Sequence, residues 1–178
     1  MRMRNGYANP QQLGADRWIS AVGALAMGLL SSGEAGASRH LIVSAGTATT
    51  VDLIGLESLG PSGCLEARFL GGWIWPGLPL MAQSLRSGTR DLQYELDAQV
   101  LGRQLQPPTD SRTAISAGVA LAQAAPLIRL MDEIKPETML LHGGAADFLG
   151  DALAQLDATI RPVRSNDLSL RGLQAVLV

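Results

Sequence analysis

Three β-prone runs follow one another with little more than glycine turns between them, and that order constrains the fold more than any other feature of the chain. His40-Leu41-Ile42-Val43 is rich in branched apolar residues, Ala48 to Ile54 continues after the break at Gly46, and Cys64 to Ile74 follows the turn Pro61-Ser62-Gly63. Runs joined this tightly read as consecutive hairpin strands, the third interrupted by Gly71-Gly72. Beyond them the pattern changes. Pro76-Gly77 opens a helix through about Leu85, and a polar stretch with a loop at Gln106-Pro107-Pro108 reaches Asp110. The alanine-rich segment Ser111 to Ile134 then reads as a helix kinked at Pro126 and closed by Lys135-Pro136. Thr138 to His142 is a short buried strand ending in Gly143-Gly144. Ala145 to Leu156 is helical, Thr159 to Val163 a strand, and Leu168 to Leu177 a last helix. Hairpin strands followed by alternating helix and strand describe an α/β chain with a mixed sheet and helices on both faces.

Ahead of the strands, Asn9-Pro10 marks a turn. From Leu13 the apolar positions Leu13, Trp18, Val22, Leu25, Met27 and Leu29 predict a mostly buried helix, ended by Ser31-Ser32-Gly33. Ile19 to Leu30 is too short to span a bilayer. Arg2 and Arg4, this apolar stretch and Ala35-Gly36-Ala37 imitate a secretory signal, but Asp16 and Arg17 abut the apolar residues and argue against one. A single cysteine, Cys64, excludes an intrachain disulfide and fits a reducing, cytoplasmic setting. The formal net charge of −2 comes without long blocks of either sign, so the chain shows no footprint for nucleic acid or an anionic membrane. Small-molecule partners are expected.

The chemistry concentrates near the start. Asp16 and Arg17 set a carboxylate and a guanidinium side by side where a helix begins, a pair that can take a proton and hold an anion. Standing alone, Asp16 would read as a helix cap and Arg17 as its surface ion-pair partner. Tyr7 offers a flat apolar face with a hydroxyl, and alone would read as a core tyrosine. Gly46-Thr47-Ala48-Thr49-Thr50 between two strands can bring backbone amides and hydroxyls to a phosphate, or be a simple hairpin turn. His40 and His142 have no partner at metal-ligand spacing and read as structural, so no protein metal site is expected. Trp73 and Trp75 lie two apart on a strand and share one face, as core or subunit contacts.

Four blocks in order carry a resemblance: Asn5 to Pro10 with Leu13-Gly14-Ala15-Asp16-Arg17-Trp18, then Ser44 to Thr50, Phe69 to Gly77, and Asp167 to Leu173. Together they resemble the type III pantothenate kinases, the family that includes the Bvg accessory factors. The resemblance implies one half of the duplicated ribonuclease-H-like fold of acetate and sugar kinases, Hsp70 and actin. Residues 1–37 would be a remnant of the first domain with a connecting helix, and residues 38–178 the second ribonuclease-H-like domain. The family's first strand with its Asp-x-Gly-Asn phosphate turn has no counterpart before Asn5, which makes an incomplete kinase the expectation.

By the same resemblance, Asp16 is the proton acceptor and Tyr7, Gly14, Ala15, Asp16, Arg17 and Thr89 contact pantothenate. Thr47 contacts ATP, and Gly143-Gly144 forms the adenine-side turn. The implied activity is ATP-dependent phosphorylation of pantothenate, the first step of coenzyme A synthesis, with Mg²⁺ as cofactor and a homodimer as the assembly. Ser44 stands where the family usually places an aspartate that binds a monovalent cation (K⁺ or NH₄⁺). The serine removes that charge and puts cation binding in doubt. It also favours the alternative implied by the accessory-factor branch, a non-catalytic regulatory protein that binds ligand without phosphoryl transfer.

Overall fold

The computed structural model describes residues 2–31, 37–59, 64–88, 106–157 and 159–177. Within them one mixed sheet is built from β1 (Arg2–Asn5), β2 (Ala37–Ala45), β3 (Ala48–Leu59), β4 (Cys64–Pro76), β5 (Thr138–His142) and β6 (Val163–Arg164). The strand order is β1-β4-β3-β2-β5-β6. Five helices flank it among the described residues: α1 (Ala15–Ala26), α2 (Leu78–Gly88), α3 (Ser111–Ile134), α4 (Ala146–Leu156) and α5 (Leu168–Leu177).

The hairpin reading of the middle strands holds. β2 and β3 pair antiparallel from Ala37 opposite Glu57 to Ala45 opposite Thr49, which leaves Gly46-Thr47 at the turn. β4 pairs antiparallel with β3 along their whole length, while β5 adds to β2 in parallel. The expected interruption of β4 at Gly71-Gly72 is corrected: the strand runs on to Pro76. A register shift at Leu53/Ile54, which face Gly71 and Phe69, leaves Leu70 as the extra residue of a bulge, so the ladder absorbs the irregularity.

Alternation along the strands sends two apolar sets to opposite faces. Leu41, Val43 and Val51 pack with Val119, Ala120 and Leu127 of α3 and with Leu149 and Leu153 of α4. Ile42, Ile54, Phe69 and Leu140 face Ala21 and Ala24 of α1 and Leu168 of α5. On that side the two helices meet backbone to backbone. A Cβ placed on Gly23 would lie 1.9 Å from the Leu168 carbonyl oxygen, and one on Gly172 would lie 1.9 Å from that of Ile19, so the crossing requires glycine at both positions.

Residues 2–26 supply the edge strand β1, parallel to β4, and the helix α1, so they belong to the same sheet and helical layer as the rest. The four residues Arg2 to Asn5 carried no strand signal, because they offer a single apolar side chain, Met3, and β1 is held by ladder bonds to β4. α1 stops at Ala26 and not near Leu30, as Gly28 turns the chain with φ +67°. The strand expected over Thr159–Val163 shrinks to Val163–Arg164. Asp157 accepts bonds from the backbone N–H (2.8 Å) and hydroxyl (2.7 Å) of Thr159, which curls the chain, and Pro162 has no N–H to give a ladder.

α3 keeps its expected bounds. The Asp110 side chain accepts from the Thr113 N–H at 2.9 Å, and Lys135 closes the helix in the left-handed region with φ +49°. Its 24 residues contain an 18-residue window with a mean hydropathy of 1.5, long and apolar enough to cross a membrane by length and composition. Its stripe of Ser116, Val119, Ala120, Gln123, Ala124 and Leu127 is nonetheless buried in the fold. Gln123 donates to the Pro76 carbonyl (2.7 Å) and accepts from the Thr49 hydroxyl (2.7 Å) and the Trp75 indole (3.0 Å). Those bonds pin α3 to the open end of the β3–β4 hairpin, the behaviour of a core helix.

Candidate active site

The segment leading into α1 is held by its own polar side chains. The Asn5 carboxamide accepts from the Tyr7 N–H (2.9 Å) and donates to the Pro10 carbonyl (3.1 Å), and the Gly6 N–H donates to the Phe69 carbonyl (2.9 Å), which ties the segment to β4. The Asn9 side chain caps the short 3₁₀ turn at Pro10–Gln12. Gly14 is the N-cap of α1, so Ala15 and Asp16 are its first two helical residues. Asp16 is therefore not the cap. Its carboxylate is exposed and folds back over the helix entrance, where a Cβ on Gly14 would lie 2.7 Å from its Oδ1.

Arg17 points the other way, into the fold, and is only 7% exposed. The ion pair between neighbours, Asp16 and Arg17, does not form. Arg17 pairs instead with Asp52 on β3, which is 2% exposed. Nε donates to Asp52 Oδ1 at 2.8 Å, Nη2 donates to the same oxygen, and Nη1 donates to the Tyr7 hydroxyl at 2.8 Å. The guanidinium also lies 5.8 Å from the Tyr7 ring centroid and 5.5 Å from that of Phe69, and the two rings meet edge to face at 5.8 Å. Burial works against the Arg17 charge, but the bonds and charge of Asp52 and the Tyr7 hydroxyl outweigh it and raise its pKa. For Asp52 burial is the largest influence and pushes the carboxyl up, Arg17 pulls it back down, and the Asp16 charge pushes it up again. Gly72 completes this platform. A Cβ there would lie 2.6 Å from Asp52 Oδ1 and 2.8 Å from Arg17 Nη2, so any side chain would break into the pair.

The motif blocks thus converge by register. Asp52 faces Gly72, Val51 faces Trp73 and Thr50 faces Ile74. Thr47 is exposed at the β2–β3 turn, and its carbonyl accepts from the buried Gly77 N–H at 2.8 Å, closing the two blocks on each other. Gly143-Gly144 follows β5, and the Ala145 N–H donates to the Ala45 carbonyl at 3.0 Å, which sets that turn against the end of β2. Tyr7, Gly14, Ala15, Asp16 and Arg17 are gathered at one corner, with Thr47 on the neighbouring hairpin. Thr89 lies outside the described residues. Asp52 and Gly72 are the residues that sequence reasoning missed. The available signal was a lone carboxylate inside the β-branched run Thr49 to Ile54, which a buried strand tolerates only with a partner.

Among the described residues no three His, Cys, Asp or Glu side chains gather as a metal site. Asp52 is already bonded to Arg17, so Asp16 is the one free carboxylate that this corner shows, and these residues alone do not make a Mg²⁺ site.

Both histidines lie on the α1 side of the sheet, and burial is the largest influence on each, lowering both pKa values. For His40 the Ser31 carbonyl and the Glu137 charge oppose the shift, and for His142 the Asp16 charge does. A group whose pKa is depressed in the fold binds its proton more readily when unfolded, so stability falls as pH drops below the ordinary histidine value of 6.5. Each buried histidine adds at most ~1.4 kcal/mol per pH unit to that slope. Chemical denaturation at pH 7.5, 6.5 and 5.5 is expected to show progressive loss, and His40→Gln with His142→Gln is expected to flatten it. An unchanged slope in the double variant would assign the acid sensitivity to other groups.

Comparison with known proteins places the chain. The family model for type III pantothenate kinase matches residues 1–133. The chain belongs to the type III pantothenate kinase family. Curated type III pantothenate kinases from Azoarcus sp. (strain BH72) and Aromatoleum aromaticum are 39% and 37% identical to it, over 155 and 177 residues. These matches cover 85% and 98% of the chain, but only 51% and 62% of the two relatives. That of Bordetella bronchiseptica is 35% identical and covers 99% of the chain and 64% of the relative. The chain therefore spans between half and two thirds of the length of these kinases. A crystal structure from Campylobacter jejuni, described as a Baf family transcriptional activator, superposes with a TM-score of 0.54 at 20% identity, covering 94% of this chain and 64% of that one. That likeness shows the fold alone, and it agrees with the ribonuclease-H-like mixed sheet of this family.

Proposed function

We propose that this type III pantothenate kinase chain carries the alcohol-side part of a site that moves the γ-phosphoryl group of ATP to the hydroxyl of pantothenate. The observation that carries the reading is the division of labour between neighbours on α1. Asp16 holds a carboxylate exposed and free of hydrogen bonds among the described residues, while Arg17 behind it is locked to Asp52 and Tyr7. An unengaged carboxylate on a rigid first turn can accept the hydroxyl proton as the oxygen attacks phosphorus. Three of the five Arg17 N–H groups are used by Asp52 and Tyr7, so two remain for the substrate carboxylate. Tyr7, Gly14 and Ala15 would line the same pocket, Thr89 would close it and Thr47 would reach ATP.

A homodimer and a cytoplasmic, soluble setting are part of the proposal. Trp73, 43% exposed, and Ile74, 60% exposed, offer apolar surface for a second copy. Ser44 favours weak dependence on K⁺ or NH₄⁺, and it is also the observation that favours the second reading, a ligand-binding accessory protein without turnover.

The test is ATP-dependent formation of phosphopantothenate by this chain fused behind the amino-terminal half of the Azoarcus kinase, run with K⁺ and with Na⁺. Product at similar rates in both salts is the expected outcome. Pantothenate binding without product would favour the accessory reading, and neither binding nor product would end both.

A further inference from the structure

Ser44, at the end of β2, lies opposite Thr50 on β3 and opposite His142 on β5. The three side chains therefore form one row on one face of the sheet, the face of Ile42, Asp52 and α1. Thr50 and His142 are each 7% exposed, and Thr50 Oγ1 and His142 Nε2 have no hydrogen-bond partner among the described residues. Buried polar groups are paired almost without exception, so two orphans flanking one serine point to a missing partner. Ser44 is only half-buried and opens the row to the outside. Neighbouring strands lie ~4.8 Å apart, which puts Ser44 within reach of both and the outer two roughly 9.6 Å apart.

We propose that Thr50, Ser44 and His142 form a cradle for a tetrahedral oxyanion, with the two hydroxyls and the His142 Nε2–H as donors. The row contains no carboxylate, so it offers nothing to neutralise a cation. Asp52, two residues from Thr50, is engaged by Arg17. The charge of Asp16, the carboxylate assigned to the hydroxyl proton, acts on both Asp52 and His142. A neutral imidazole suits this position, because it donates a hydrogen bond without competing for that proton. Identifying the oxyanion as the phosphoryl group in transfer rests on the kinase reading, whereas the cradle itself does not.

The 178-residue chain labelled with ¹⁵N-histidine provides the test, because its two histidines make His40 an internal control. His40 Nε2 is already engaged by the Ser38 hydroxyl (2.9 Å) and the Ser31 carbonyl (3.0 Å). Titration with inorganic phosphate is expected to shift the His142 Nε2 resonance to saturation and to leave His40 in place. Thr50→Val and Ser44→Ala should each weaken phosphate binding about 5-fold, the size of one neutral hydrogen bond. His142→Gln, which keeps a donor near the same point, should bind within about 3-fold of the native chain by calorimetry, and His142→Leu should weaken binding by at least the roughly 5-fold of the hydroxyl variants. Circular dichroism separates lost binding from lost folding, and Thr50→Val is the nearly isosteric check if His142→Leu unfolds. Absence of a saturable His142 shift, an equal shift at His40, or a response to KCl in place of phosphate would overturn the cradle. Phosphate binding by a chain whose fusion makes no phosphopantothenate would uphold the cradle and remove the kinase reading. Product formed at the native rate by fused Thr50→Val and His142→Leu would remove the cradle and keep the kinase.

Discussion

Asp52→Ala is expected to lower the unfolding free energy by about 3–5 kcal/mol, the usual cost of leaving a buried charge without its partner. Arg17 would stay inside the fold, since Tyr7, Phe69 and the body of α1 hold it there, but its guanidinium would lose the carboxylate that takes two of its donors. Urea denaturation followed by circular dichroism measures the loss. Removing both charges should cost far less. Arg17→Met with Asp52→Leu replaces the pair by apolar groups of similar length, and such exchanges are often close to neutral. If Asp52→Ala costs under about 1 kcal/mol, the pair is solvated in solution and the platform behind Asp16 is not rigid.

Asp16→Asn, in the fusion that supplies the remaining kinase length, is expected to reduce kcat by about 10²–10⁴-fold, the range attributed to a general base. Pantothenate affinity should stay within about 3-fold, because the substitution keeps shape and removes an interaction needed only as the proton leaves. Stability should change little. Asp16 is exposed, and a carboxylate in the first turn of a helix contributes only ~0.3–1 kcal/mol through the dipole. Single-turnover formation of phosphopantothenate with calorimetric pantothenate titration separates the two quantities. A variant with near-native kcat would return Asp16 to a helix-stabilising role, and one that loses affinity and turnover equally would make it a binding group.

These two variants mark the boundary between what local sequence carries and what it does not. The order of strands and helices was legible because its causes are local. β-Branched runs, apolar repeats and the breaks at Gly46 and Lys135-Pro136 act within a few residues of themselves. Apart from the end of α1, where Gly28 turns the chain locally, the failed expectations trace to a contact from elsewhere or a turn bond. β1 exists through β4, Leu70 is absorbed into a bulge opposite β3, and the chain near Thr159 is curled by Asp157. The motif blocks were equally visible, yet no block says which of the others it meets.

By itself the sequence determined the residue types at the site and the family to which the chain belongs: a carboxylate and a guanidinium at a helix start, hydroxyls at a hairpin end, glycines where strands approach one another. Tertiary structure alone decided how those groups are employed. One step along a helix turns a side chain by about 100°, so adjacent Asp16 and Arg17 cannot share a face: one is left in solvent and the other is driven into the sheet. Its partner there, 35 positions further along, is set by the register of β3 against β4, which brings Asp52 opposite Gly72 and beneath α1. The registers of β3 and β5 against β2 place Thr50 and His142 on either side of Ser44. Pairings of this kind depend on burial and on strand alignment, which belong to the folded chain and to no short stretch of it.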